Sequence, residues 1–342
     1  MKSIFQEISE LRNWDYYERD NCEKIQDWND ENKHKEFIKT FFEISKKDNI
    51  LNNFKIEIDD LSRNIHTNSV YFLGALFYEK LNLKELEKYE RNDSSKQFRF
   101  IWFLSALVHD FYHDKERKLE EFTGIIEDIE SVKLTNDLLS YTNKKSLCQD
   151  KIENLFKTIP NYFKYRFYDG KVDHGIMAGI KLFDLLETNR VQKKENKNTR
   201  YWKDDLTPLY AQAGLAIAMH NIWLSGTKED IKEKYRKADL ETLITGENTI
   251  FPISIKDNPL LFLLGLVDTI EPIKTFNCVT PQYVLENIMI SFNKKQNQII
   301  IKNKKHSRLD FEKLKRNTKG LEGWLDIKII EEINKIIIKI KR

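Results

Sequence analysis

The chain is poor in the residues that punctuate loops and staple small domains. Its 342 residues include only 11 glycines, 6 prolines and 3 cysteines. So few turn-formers argue against a loop-rich sandwich and in favour of helices. Cys22, Cys148 and Cys278 lie far apart and make neither a C-x-x-C pair nor an even disulfide set, which points to a reducing, cytoplasmic setting. Long apolar runs are missing too. Stretches such as Leu260 to Val267 fall far short of the roughly 18 to 20 residues that a membrane span needs. The opening MKSIFQEISELRNWDYYERD is charged throughout and has no apolar core of the kind a secretory signal carries. Phosphate-cradling glycine loops, a G-x-S-x-G elbow, a cysteine-rich zinc framework and H-E-x-x-H spacing are all absent.

What is present is core material: 40% of residues are hydrophobic and 12% aromatic. The length suits one large domain with an appendage. Residues 1–60 read as a helical extension, with Phe37, Phe41, Phe42 and Ile44 at helical spacing. Residues 61–280 hold the main helices, expected over 65–85, 95–114, 173–189, 206–224 and 258–274. Asp173 suits an N-cap, and Thr207–Pro208 and Asn258–Pro259 are helix start signals. The 95–114 segment is apolar nearly all round and should be the most buried. After Pro281 the texture changes. NIMISFNKKQNQIIIKNK predicts a hairpin, 307–325 a helix, and DIKIIEEINKIIIKIKR one or two more strands, so 281–342 reads as a small α+β appendage.

Charge is uneven along the chain. Residues 291–342 hold 15 basic and 6 acidic residues, against 42 and 48 in the remainder. A basic tail on an acidic body suits a nucleic-acid or other anionic partner, while the plainer reading is a solvated, lysine-rich face. Its strand-rich ends are also compatible with a homodimer formed by strand pairing.

The seven histidines are the most informative feature. His66 lies on the first of the main helices, and His109 with Asp110 follows FIWFLSALV. His174 opens a helix, His220 ends one, and Asp268 interrupts LLFLLGLVDTIEP. A carboxylate in such surroundings is costly unless paired or bound to a metal. Each residue alone has a plain structural role: a satisfied core histidine, a cap, a helix-end donor. As an ordered set they point to one convergent site. His34 and His306 fall outside the pattern and are expected on the surface.

This order, H…HD…H…H…D, resembles that of the HD-domain metal-dependent phosphohydrolases. VHDFYHD is similar to their HDxGK or HDxxH segment, AIAMHNIW to a segment ending in HHG or HN, and GLVDTIEP to their closing LADxxE motif. The resemblance spans roughly residues 60–275. It implies a mainly α HD-domain helical bundle and two divalent transition-metal ions (Mn, Fe, Co, Ni or Zn). His66, His109, Asp110 and Asp268 would hold one ion, and Asp110 would bridge to a second held by His174 and His220. Such a pair lowers the pKa of a shared water and clamps a phosphoryl oxygen.

His113, four residues after His109, is expected on the same helix face as a catalytic acid beside Asp110. It stands where relatives often carry a phosphate-contacting lysine, which puts that contact in doubt. Arg166, Lys171 and Lys181 are candidates for phosphate oxygens or, equally, ordinary surface charges. The expected activity is a phosphodiesterase acting on a nucleotide, cyclic nucleotide or nucleic-acid end. The rivals are an HD nuclease on single-stranded nucleic acid, a di-iron HD oxygenase, and a non-catalytic metal-stabilised sensing module.

Overall fold

The structure, a computed structural model, describes residues 1–12, 14, 23–44, 51–52, 63–81, 83, 97–116, 138, 150–195, 206–225, 229–245 and 252–341. The helices are α1 (Ile4–Glu10), α2 (Glu31–Ile44), α3 (Asn64–Leu81), α4 (Gln97–Val108), α5 (Asp150–Tyr168) and α6 (His174–Glu195). They continue with α7 (Thr207–Met219), α8 (Glu229–Lys237), α9 (Pro259–Ile270), α10 (Pro272–Thr275), α11 (Pro281–Asn287) and α12 (Phe311–Lys319). Among the described residues there are five short strands: β1 (Lys2–Ser3), β2 (Ile288–Asn293), β3 (Gln298–Asn303), β4 (Ile327–Glu332) and β5 (Lys335–Ile340). The protein is mainly helical with a small antiparallel sheet, as the sparse glycine and proline led us to expect. Pro208, Pro259, Pro272 and Pro281 open helices, where a missing N–H costs nothing.

Helices α3, α4, α7 and α9 are apolar on nearly every face and form the interior. Helix α7 is the hub and packs on α4, α6 and α9. Its approach to α6 is set by glycine. A Cβ on Gly179 would stand 2.2 Å from the Gly214 carbonyl oxygen, and one on Gly214 would stand 2.8 Å from that of Gly179. On the other side α2 lays Phe37 and Phe41 against Trp14, Tyr71 and Phe72. His34 belongs to this cluster and is fully buried, contrary to its expected place on the surface. Its Nε2 donates to the Trp28 carbonyl at 3.3 Å and its Nδ1 accepts from Asn68 at 3.1 Å, so both polar atoms are satisfied. Burial pushes its pKa down to about 4.

The sheet has strand order β1-β2-β3-β5-β4, antiparallel throughout. The predicted β2–β3 hairpin is present, its turn closed by Asn297 at φ 50°. The appended helix is shorter than expected, Phe311–Lys319 in place of 307–325. Strand β1 was not expected: Lys2 pairs with Ile290 and Ser3 with Met289. Ser3 also caps α1 in a capping box with Gln6, and Ile4 and Ile8 enter the common core. The first ten residues and the C-terminal appendage, read from the sequence as separate units, therefore share one sheet and one core.

The helix expected over 95–114 stops at Val108. His109 Nδ1 donates to the Ala106 carbonyl at 2.7 Å, the acceptor that the Asp110 N–H would use if the helix continued. His220 ends α7 in the same way, through the Ile217 carbonyl at 2.6 Å. His113 consequently begins a 3₁₀ turn and does not share a helix face with His109.

The α6–α7 crossing makes a prediction. Gly179→Ala should destabilise the protein by roughly 1–3 kcal/mol through overpacking. Gly265→Ala, whose Cβ meets nothing nearer than 3.9 Å, should be neutral or better. Urea denaturation of both variants against the parent measures the difference.

Candidate metal centre

Five helices deliver the site. His66 comes from the first turn of α3, and His109 and Asp110 from the turn that ends α4. His174 is the first residue of α6, His220 follows α7, and Asp268 lies in the last turn of α9. All six are buried. Asp173, as expected, caps α6, its Oδ1 accepting from the Ile176 N–H at 2.8 Å, and this fixes the direction in which His174 leaves the helix start.

The side chains converge. His66 Nε2 lies 3.0 Å from Asp268 Oδ1 and 3.5 Å from Asp110 Oδ2. His174 Nε2 lies 3.2 Å from Asp110 Oδ1. His109 Nε2 faces Asp110 Oδ1 at 3.7 Å and Asp268 Oδ1 at 3.6 Å. His109 and His220 meet edge to face with ring centroids 5.1 Å apart, and His174 and His220 at 5.4 Å. Among the described residues, three groups have ligand atoms within 4.8 Å of one another: His66–His109–Asp268, His109–Asp110–His220 and Glu116–Asp173–His174.

The orientation of the imidazoles tests whether a metal fits. Every one of the four has its Nδ1 engaged on the outside of the cluster. His66 Nδ1 donates to Glu271 at 2.9 Å, His109 to Ala106, His220 to Ile217, and His174 to Glu116. Carbonyl and carboxylate oxygens only accept, so the proton is fixed on Nδ1 and each Nε2 is turned inward. His109 Nε2 is buried and has no hydrogen-bond partner, an orphan that a metal bond would satisfy. Ligand atoms about 2.0–2.2 Å from one ion stand roughly 3–3.6 Å from each other, and the pairs measured here run from 3.0 to 3.7 Å. The donor set, imidazole nitrogen with carboxylate oxygen, suits first-row divalent metals. These residues can hold metal ions.

Electrostatics agree. Burial opposes charge on His66, but hydrogen bonds with Asp268 and Glu271 outweigh it and lift its pKa to about 9. His174 is lifted to about 10 against the same opposition by Asp110 and Glu116. Burial pushes His220 down to about 3. Asp110 and Asp268 stay well below the usual carboxylate range despite burial, Asp110 through the neighbouring histidines and Asp268 through Lys274, His109 and His66. Protons and side-chain cations thus hold the positions that a divalent ion would claim.

The supports were less visible in the sequence. Glu271, fully buried, accepts from His66, from Ser69 at 2.6 Å and from the Ile273 and Lys274 N–H groups. It is the glutamate of VDTIE, three residues after Asp268. Glu116 accepts from His174 and, at 3.0 Å, from Arg166. Burial favours its neutral form, yet His174 and Arg166 hold it at about 2. Two cations at the solvent edge were missed altogether. Arg63 reaches Asp110 Oδ2 at 3.0 Å and Lys274 reaches Asp268 Oδ1 at 2.6 Å, each about one-third exposed. Arg63 stands one turn before His66, which was the available signal.

Of the remaining candidates, His113 is half-buried, its ring 5.4 Å from that of His174. Burial, with Arg63 nearby, lowers its pKa. Arg166 is committed to Glu116, Lys171 lies 3.9 Å from Asp169, and Lys181 stands 5.5 Å over the Tyr112 ring. Lys171 and Lys181 stay outside the six-residue cluster, and Arg166 meets it through Glu116. No family model, curated protein or solved structure matches the chain.

The site yields two predictions. Because His66 and His174 are raised above the ordinary 6.5, their stabilisation is complete below that pH and is lost as pH climbs through about 9 and 10. Because His34 and His220 are lowered, to about 4 and about 3, stability also falls as pH drops below 6.5. The Tm of the metal-stripped protein should therefore peak between pH 6 and 7 (~6.5) and fall on both sides, with added Mn²⁺ removing the alkaline fall. Scanning fluorimetry over pH reads this directly. Secondly, Glu116→Gln and Glu271→Gln should each weaken metal affinity by roughly 10- to 100-fold without removing a ligand, as measured by competition with a chromogenic chelator.

Proposed function

We propose that the chain is a metal-dependent phosphohydrolase of the HD type, acting as a phosphodiesterase on a nucleotide, cyclic nucleotide or nucleic-acid substrate. One observation carries the reading: the residues of the H…HD…H…H…D series are buried side by side, His174 joined to the rest through Asp110, with the Nδ1 of every imidazole engaged outside the cluster. In this reading His66, His109, Asp110 and Asp268 would hold one ion, and His174 and His220, with Asp110 between the two sets, would hold a second. Bound there, the two ions would supply an activated water and neutralise charge on a phosphoryl group.

The chain's own groups do the rest. Arg63 and Lys274, at the open edge, neutralise Asp110 and Asp268 and present N–H donors to an incoming phosphate. His113, its pKa lowered by burial and by Arg63, would accept the proton that the attacking water loses and pass it to the leaving oxygen. Arg166 acts at one remove, fixing Glu116 and through it the tautomer of His174. Lys171 and Lys181 remain candidates for the more distant part of a substrate.

The test is an anaerobic screen of Mn²⁺-loaded protein against phosphomonoesters, cyclic mono- and dinucleotides and short single strands. Phosphoester cleavage should fall at least ~100-fold in Asp110→Asn. Metal analysis should find about two ions in the parent, with Asp110→Ala losing both and His174→Ala one. Full metal loading with no turnover on any phosphoester would sink the hydrolase reading in favour of a sensing module. Turnover that needs O₂ would move it to the oxygenases.

A further inference from the structure

The sheet buries one face on the helices and turns the other outward. Inward go Ile288, Ile290, Ile299, Ile301, Ile327, Ile329, Ile336 and Ile338, all buried. The outward residues fall into three rows that run across the strands. The middle row is Ser291, Ile300, Ile337 and Ile330, each paired in register with the next. On one side of it Lys302 stands opposite Lys335, and on the other Lys339 stands opposite Lys328. An apolar stripe is thus bordered on one side by Met289, Lys302, Lys335 and Glu332, and on the other by Asn293, Gln298, Lys339 and Lys328. Lys304 and Lys305 continue the charge past one end of β3, and Lys294 and Lys295 past the other.

Two features of this face are not what folding alone would select. Like charges directly opposite one another on neighbouring strands repel, and here it happens twice. Acid is also scarce: Lys335 is paired with Glu332 at 2.6 Å, but Lys302 and Lys339 make no ion pair with any described residue. The same repulsion opposes stacking of this face on a second copy of itself. An anionic occupant removes it.

We infer that the outer face of the sheet binds single-stranded nucleic acid, laid across the strands with its bases on the isoleucine row and its phosphates on the flanking lysines. Lys335 and Lys339, one in each row, are four residues apart along β5, roughly 13 Å at about 3.3 Å per residue. The four outward positions of the middle row span about 14 Å at the usual strand spacing, room for two or three nucleotides. A duplex would offer only its phosphates and leave the isoleucines unused. No aromatic side chain lies in these rows, so base stacking does not contribute. Affinity should be independent of sequence, near micromolar, and steeply salt-dependent.

The experiment uses the full chain with chelator present, so that neither metal loading nor turnover enters the result, and failure here leaves the phosphohydrolase reading untouched. Fluorescence anisotropy of a labelled ~12-nucleotide oligothymidylate is followed between roughly 50 and 200 mM salt. The variants are Lys302→Glu with Lys339→Glu, and a control, Lys33→Glu with Lys39→Glu, on the exposed side of α2. The parent and the control should bind alike. The sheet variant should bind at least tenfold more weakly, and its log K against log salt slope should be shallower by ~0.7 for each phosphate no longer neutralised. Its Tm should be unchanged or higher, because each new glutamate faces a lysine. Absence of binding by the parent, equal binding by the sheet variant, or preference for phosphatidylserine vesicles over the oligonucleotide would each overturn the inference.

Discussion

Two aspartates buried among packed helices set the terms for the groups around them. Asp110 and Asp268 are buried among apolar helices, where an uncompensated carboxylate is not tolerated. Four imidazoles, an arginine and a lysine gather on them, and the folding of those segments follows from that demand. The α4 and α7 helices both end where a histidine folds back onto a carbonyl of its own last turn. The same hydrogen bond that stops the helix fixes the proton on Nδ1 and turns Nε2 inward. Helix termination and ligand orientation are one event.

A second ring of residues holds the first. Glu271 links α3, α9 and α10 by accepting from His66, Ser69 and two backbone N–H groups. Glu116 ties the segment after α4 to α5 and α6 through Arg166 and His174. Carboxylates so thoroughly hydrogen-bonded leave little rotamer freedom to the imidazoles they support. Protein hydrogen bonds alone thus hold these imidazoles in place.

Much of this was legible in the sequence, for identifiable reasons. His66, His109, Asp110, His174, His220 and Asp268 stood out because polar residues interrupting apolar helices need an explanation, and the structure brings all six together. The hairpin at Lys294–Gln296 and the helix starts at Pro208 and Pro259 came from local turn and capping chemistry. What escaped depends on distant partners. His34 is buried because Asn68 and Trp28 satisfy it, which no local pattern could indicate. The helix end at Val108 depends on a side-chain bond that apolar periodicity does not report. Arg63, Lys274 and Glu116 look like ordinary surface charges until their partners are known.

Strand β1 has only two residues, yet it pairs across most of the length of the chain, Lys2 with Ile290. Loop-closure entropy grows only with the logarithm of the span, so a closure this long costs little more than one of half its length. Lys2 and Ser3 complete the sheet edge beside β2, and α1, carried beside them, packs against α11 and α3. Strand β1 thereby ties the helices to the sheet, and the buried residues of both belong to one hydrophobic core.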